Sequence, residues 1–467
     1  MMAIAGIVAQ AVPLALMPVL SRLYTPVDLG VLALIVSIAA ILSPLCTARF
    51  ELAIMLPERA SDAYSIAGIA LALAVAVTLL ACVLIVIVVP VLESSGKLDE
   101  HGSWLYFAPL LALAISIGQV GNILANRRQE YGKIARAGIF QQLVNGVTAI
   151  IAGLAASSPL GLIVGRILGT VAYTAAFWQG LREALRGFRR DWTGRDALRN
   201  AYAYRQFAFF NMPYSLLGSF SRDFLVYAFT AFRDVAAAGQ FGLARLLLNA
   251  PTSLLAASLS QVFYQQAATR GHTHAFRQMT MGLLRATVVS FSPACGVLAL
   301  WGPDVFSVVF GEHWREAGMF AAYLAGPLAL SALTSWPERI FEANLKQQWS
   351  FAIQLTFDAL SIGAVIVLMT SGAEKITVVL IYACIQAAFH LCYLGAVFRF
   401  AGLRATNYLE TIALTTSLFA GMLLAGIGLR QTLPSPTAFT VHGAIGILVS
   451  LVGLWLTRAH HLKQSPV

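Results

Sequence analysis

The chain has 467 residues, of which 58% are apolar and only 11% charged, and its formal net charge is +10. A water-soluble domain of that composition would lack the polar surface to cover its core, so a soluble globular enzyme is excluded and a polytopic membrane protein is expected. The positive balance does not point to nucleic acid, because the basic residues fall in short loops between apolar stretches.

Apolar runs of about twenty residues follow one another from the start, each long enough at about 1.5 Å per residue to cross about 30 Å of hydrocarbon. The predicted spans are 2–21, 29–48, 65–92, 104–125, 138–156 and 162–181, then 207–230, 239–262, 279–301, 318–342, 351–371, 376–398, 409–428 and 441–457. The fold class is therefore all-α and membrane-embedded, with about fourteen transmembrane helices. The first run lacks a basic leader and a small-residue cleavage site and ends in Ser21-Arg22-Leu23-Tyr24, so it reads as a spanning helix and not a signal peptide. The loops after spans 2, 4, 6, 8, 10 and 12, with the C-terminal tail, hold most of the lysines and arginines, which places both termini in the cytoplasm.

Cys46, Cys82, Cys295, Cys384 and Cys392 lie inside apolar stretches without CxxC spacing and read as small core residues. His272-x-His274 and His460-His461 have no carboxylate or cysteine nearby, so no metal site is expected. The sequence has no GxxxxGK[ST] loop, which argues against direct ATP drive, and no cofactor is expected.

The widest polar gap runs from Arg182 to Arg205 and also holds Arg186, Arg189, Arg190, Arg195 and Arg199. It reads as a basic cytoplasmic linker against anionic head groups. The flanking halves resemble each other. Ala125-Asn126-Arg127-Arg128-Gln129-Glu130-Tyr131-Gly132 and Ala343-Asn344-Leu345-Lys346-Gln347-Gln348-Trp349-Ser350 both read Ala-Asn-x-basic-Gln-x-aromatic-small. Asp28-Leu29-Gly30 opens span 2 much as Ala238-Gly239-Gln240-Phe241-Gly242 opens span 8. The expected organisation is a six-helix lobe over 1–181, a linker over 182–206, a second pseudo-symmetric lobe over 207–398 facing the first across a central cavity, and two extra helices with a tail over 399–467.

The stretch Ser21-Arg22-Leu23-Tyr24-Thr25-Pro26-Val27-Asp28-Leu29-Gly30, followed by Arg49-Phe50-Glu51-Leu52-Ala53-Ile54-Met55-Leu56-Pro57, resembles the opening of bacterial oligosaccharide flippases. Phe310-Gly311-Glu312-His313-Trp314-Arg315-Glu316-Ala317-Gly318 is similar to a second hallmark of the same proteins. These are Wzx-type members of the multidrug, oligosaccharidyl-lipid and polysaccharide exporter superfamily. The resemblance implies transfer of undecaprenyl-diphosphate-linked repeat units across a bacterial inner membrane for O-antigen, capsule or exopolysaccharide assembly. It implies membrane lipids and the lipid-linked oligosaccharide as partners, with a polysaccharide polymerase and glycosyltransferases as further candidates. The two added C-terminal helices are a departure shared with lipid-linked peptidoglycan-precursor flippases, which leaves the cargo class open.

A flippase of this kind needs cations inside the bundle, because a diphosphate must leave water and an arginine fork matches its oxygens. An arginine at mid-bilayer costs about 2.5–3.5 kcal/mol on insertion scales, so one retained there should face a cavity or a partner. Arg245, six residues into span 8, is the leading candidate, with snorkelling or a pair with Asp223 as the plain alternative. Arg222 and Asp223 lie deep in span 7, and Arg22 and Arg49 at span ends; the resemblance places cavity arginines at Arg22, Arg49 and Arg245. Glu338 and Glu342, four apart beside Pro337, and Asp358 in span 11 are candidates for cation or proton coupling, or for structural acids in salt bridges. Arg166 and Arg285 rank lower. An exporter of small cations is the alternative within the superfamily. A membrane glycan polymerase or ligase is the alternative outside it, disfavoured because the longest outer loop, Gly302 to Ala317, is short; no catalytic residues are expected.

Overall fold

The computed structural model describes residues 2–94, 102–190, 194–232, 234–270 and 273–464. His272 and the side chains of Arg190, Arg195, His460 and His461 lie outside what it describes. All regular structure among the described residues is helical. Eleven helices are long and apolar enough to span a membrane, or twelve if the bent pair Pro159–Ala175 and Trp178–Arg189 is one span. The expected fourteen also counted Met2–Leu23 and Met212–Ala231, which do form helices. Of the first, the residues whose side chains are described form an apolar segment, Gln10–Leu23. The second is diluted by Ser215, Ser219, Ser221, Arg222 and Asp223.

The chain forms two compact units, Met1–Gly242 and Leu243–Val467. In the first, α1 (Met2–Leu23), α2 (Pro26–Thr47), α3 (Phe50–Ala53), α4 (Ala60–Ser94) and α5 (Ala108–Arg127) are followed by α6 (Tyr131–Ala155), α7 (Pro159–Ala175), α8 (Trp178–Arg190), α9 (Gly194–Ala203) and α10 (Met212–Ala231). The helix α11 (Val235–Arg270) begins here and runs on into the second unit.

The motif at the end of α1 explains itself locally. Pro26 occupies the first turn of α2, where no amide is needed. Thr25 caps the helix by accepting from the Asp28 amide, and Asp28 returns the bond to the Thr25 amide at 2.8 Å. Tyr24 turns inward and donates to the Ala149 carbonyl at 2.7 Å. Glycines at 153 and 161 make room for its ring between α6 and α7. Burial first, and then the Asp28 carboxylate, push the Tyr24 phenol above its ordinary pKa.

The two matched helix openings meet. A Cβ on Gly30 would overlap the Val235 carbonyl oxygen, and one on Gly239 would overlap the Pro26 carbonyl oxygen. Backbones cross this closely in membranes because packing, not hydrophobicity, holds helices together there. At the start of α11 the Asp234 carboxylate accepts from the Ala237 amide at 2.8 Å, the counterpart of the Thr25 cap on α2.

The segment read as a linker is folded among the described residues. It forms the amphipathic helices α8 and α9, with Phe188 seated over Gly68 of α4. Glu183 of α8 accepts from Arg128 at 2.6 Å, and Arg199 of α9 stands 3.6 Å from Asp62. The cysteine expectation needs correction: Cys46 and Cys295 are buried, but Cys82, Cys384 and Cys392 are exposed. An apolar side chain in a span serves the lipid face as well as the core.

The second unit continues through α12 (His274–Phe310), α13 (Arg315–Thr334), α14 (Ile340–Ala343), α15 (Gln347–Thr370), α16 (Lys375–Phe400), α17 (Ala405–Thr432) and α18 (Ser435–Gln464). The expected outer loop Gly302 to Ala317 is mostly helix, leaving Gly311 and a single turn, Glu312–Trp314. Gly311 has φ +111°, a conformation that L side chains resist, and it lets Trp314 turn into the core, where it is fully buried. Around it Arg315 reaches Asp304 at 2.8 Å and Lys375 reaches Glu316 at 2.7 Å. Deeper in the unit, Trp301 of α12 donates its indole N–H to Nδ1 of His442 on α18 at 2.9 Å. His442 Nε2 meets the Met422 carbonyl of α17 at 2.8 Å, so one buried imidazole joins three helices.

The two Ala-Asn motifs each end a helix with a left-handed residue, Gln129 in one and Leu345 in the other. Glu130 then donates back to Ala125, and Lys346 to Phe341. The turns are the same device, two residues out of step with the sequence match.

Candidate functional site

After α2 the chain breaks through two successive left-handed residues, Ala48 (φ 47°) and Arg49 (φ 61°), neither of them glycine. Such conformations cost about 1–3 kcal/mol each, and tertiary contacts must hold them. Here they do. Arg49 Nε donates to Ser215 Oγ of α10 at 2.8 Å, and its Nη1 stands 3.1 Å from Glu51 Oε1. Glu51 is only 1% exposed, and its other carboxylate oxygen has no hydrogen-bond partner among the described residues. Arg127, at the end of α5, closes the other side of the break by donating to the carbonyls of Ile54, Met55, Pro57 and Glu58. The Arg49–Pro57 stretch and the Ala-Asn-Arg-Arg motif, far apart in sequence, thus form one structure.

The remaining predicted cations are dispersed. Arg22 is exposed in the last turn of α1 and makes no hydrogen bond or ion pair among the described residues. Arg222 is exposed and Asp223 buried, on different faces of α10, since adjacent helical positions point about 100° apart. Arg245 is half-buried on α11 beside the buried Leu243 and Ala244. Two groups were undervalued by sequence reasoning. One is Glu51 of the short helix α3, whose burial has no sequence signal because it lies between two predicted spans, two residues from an arginine. The other is Arg166 of α7, whose Nε is sealed from water with no acceptor among the described residues. A lone arginine inside an apolar span was the available signal for it.

Pro337 ends α13 early, at Thr334, and puts Glu338 in the turn before α14, with Glu342 one turn on. Arg339 lies between them in sequence and its guanidinium sits 5.6 Å from the Tyr264 ring centre. The Glu338 side chain reaches the surface, yet apolar surroundings push its carboxyl above the usual range; Arg339 opposes this and Glu342 adds to it. The fold therefore favours the protonated form. That contribution is complete below the ordinary glutamate value and is lost as pH rises through the elevated one. Glu338→Gln is accordingly expected to raise the melting temperature at pH about 8 and leave it unchanged at pH about 4, checked by thermal melts across that range. Asp358 accepts from Gln354 one turn earlier on α15 at 2.8 Å.

Buried or strained charge set into a bundle of apolar helices, with no large extramembrane domain among the described residues, defines a polytopic helical membrane protein. A family model described as "Polysaccharide biosynthesis protein" matches residues 19–319, and the chain belongs to that family. Its fold resembles a lipid II flippase, MurJ, in an inward closed conformation: TM-score 0.68, 13% identity, with 99% of this chain and 99% of that one covered. It also resembles an inward-facing multidrug resistance MATE transporter of the MOP superfamily: TM-score 0.52, 14% identity, with 85% and 96% covered. No curated protein sequence matches the chain.

Proposed function

We propose that the protein moves a polyprenyl-diphosphate-linked oligosaccharide from the cytoplasmic to the periplasmic leaflet of a bacterial inner membrane by alternating access. The observation that carries this reading is membership of the polysaccharide biosynthesis family in a chain whose fold matches a lipid II flippase over 99% of its length. In this reading Arg245, Arg222, Arg22 and Arg49 hold the diphosphate, joined by Arg166. Asp223, Glu338, Glu342 and Asp358 serve coupling or gating, and both termini are cytoplasmic. The two six-helix lobes over 1–181 and 207–398 move against each other, and polymerase and glycosyltransferases supply and consume the cargo.

Leaflet transfer of a fluorescent undecaprenyl-diphosphate oligosaccharide in proteoliposomes tests it. Loss of a charge-assisted contact of about 1.5–3 kcal/mol predicts that Arg245→Ala slows transfer roughly 10- to 100-fold. No transfer of any lipid-linked glycan, together with efflux of a small organic cation, would assign the protein to drug export instead.

A further inference from the structure

The first turns of α12 and α17 and the last turns of α18 enclose a pocket of about 720 Å³ in the second unit. Its charge is one-sided. Among the described residues, Arg277, Arg285, Arg404 and His274 line it against a single acid, Glu410, which stands 4.0 Å from Arg285 with both groups well exposed. Thr406 and Asn407, in the first turn of α17, line it as well, and no side chain caps that helix. The positive end of a 28-residue helix therefore adds to the cationic field.

A second cavity of about 630 Å³ adjoins it and is mostly apolar, with Arg458 the one charged residue among its described lining. Ala275, Met279, Leu283 and Ala286 form one stripe of α12 and face Leu454 of α18 across it. Gln278, Gly282 and Thr457 line both spaces, so the basic pocket opens into an apolar furrow running along the same two helices. A soluble anion would account for the first space alone. A phosphate carrying an acyl chain accounts for both, because its charge and its hydrocarbon need these two surroundings side by side.

We propose that this pocket binds the phosphate of an anionic membrane phospholipid, with an acyl chain in the adjoining furrow. None of the residues assigned to the cargo lines either space, so the site stands or falls independently of the transport reading.

Native mass spectrometry of the full chain in detergent, titrated with phosphatidylglycerol or phosphatidylcholine, tests the proposal. Phosphatidylglycerol is expected to bind about tenfold more tightly, and Arg277→Gln with Arg404→Gln to remove about that factor. Glu410→Gln, which deletes the opposing charge beside Arg285, should tighten phosphatidylglycerol binding severalfold. If the double variant does not fold, this second variant decides, and the absence of any gain would overturn the site. Equal retention of the two lipids would overturn it too. Displacement of phosphatidylglycerol by millimolar inorganic phosphate would reassign the pocket to a soluble anion.

Discussion

Replacing Gly239 with valine is expected to cost about 3 kcal/mol or more of stability and to part the N-terminal ends of α2 and α11. A side chain there meets the Pro26 carbonyl oxygen and then the Gly30 amide, both backbone atoms of a capped helix start, and no rotamer change relieves the overlap. The helices must separate, which exposes Val31, now only 2% accessible. A Val31→Cys reporter should resist a thiol reagent in the otherwise native chain and react in the Gly239→Val background. A variant that melts like the parent and keeps that cysteine protected would show that the helices do not cross at these glycines.

His442→Leu is expected to cost about 2–4 kcal/mol, because it strands two buried polar groups at once. The indole of Trp301 donates to Nδ1, so the ring's own hydrogen lies on Nε2 and is given to the Met422 carbonyl; this tautomer is assigned from its partners. Inside a bilayer neither the Trp301 N–H nor the freed carbonyl finds water. The loss should loosen α17 and α18 from α12, seen as faster hydrogen exchange over 405–458 with little change in the first unit. Adding Trp301→Phe to His442→Leu removes one stranded donor, and part of the stability should return. Additive losses in the double variant would count against the bond.

Much of the architecture was legible in the chain. Thr25, Pro26 and Asp28 announce the start of α2 because capping is local chemistry, settled within four residues. Pro337 announces a break, since it cannot donate into the helix, although the helix stops three residues before it. The Arg182–Arg205 segment shows where local reading stops. Its charge is plain, but whether it is a strand of linker or a pair of helices depends on surfaces such as Gly68 and Arg128, far away in sequence. The candidate site is still less legible. Arg49 was visible as a charge at a span end. Its bond to Ser215, the burial of Glu51 and the Arg166 Nε that meets no acceptor among the described residues all depend on which helices become neighbours.

Hydropathy and capping act over one turn or one span, so they alone establish that the chain lives in a membrane, that it is helical, and where most helices begin and end. The tertiary structure alone decided which side of each helix faces lipid and which faces protein. Leu79 of α4, 62% exposed, and Ala74, fully buried, stand five residues apart in the same apolar run. Hydrocarbon and protein interior are equally apolar, so hydropathy records depth in the membrane, and only close packing between particular helices records sidedness.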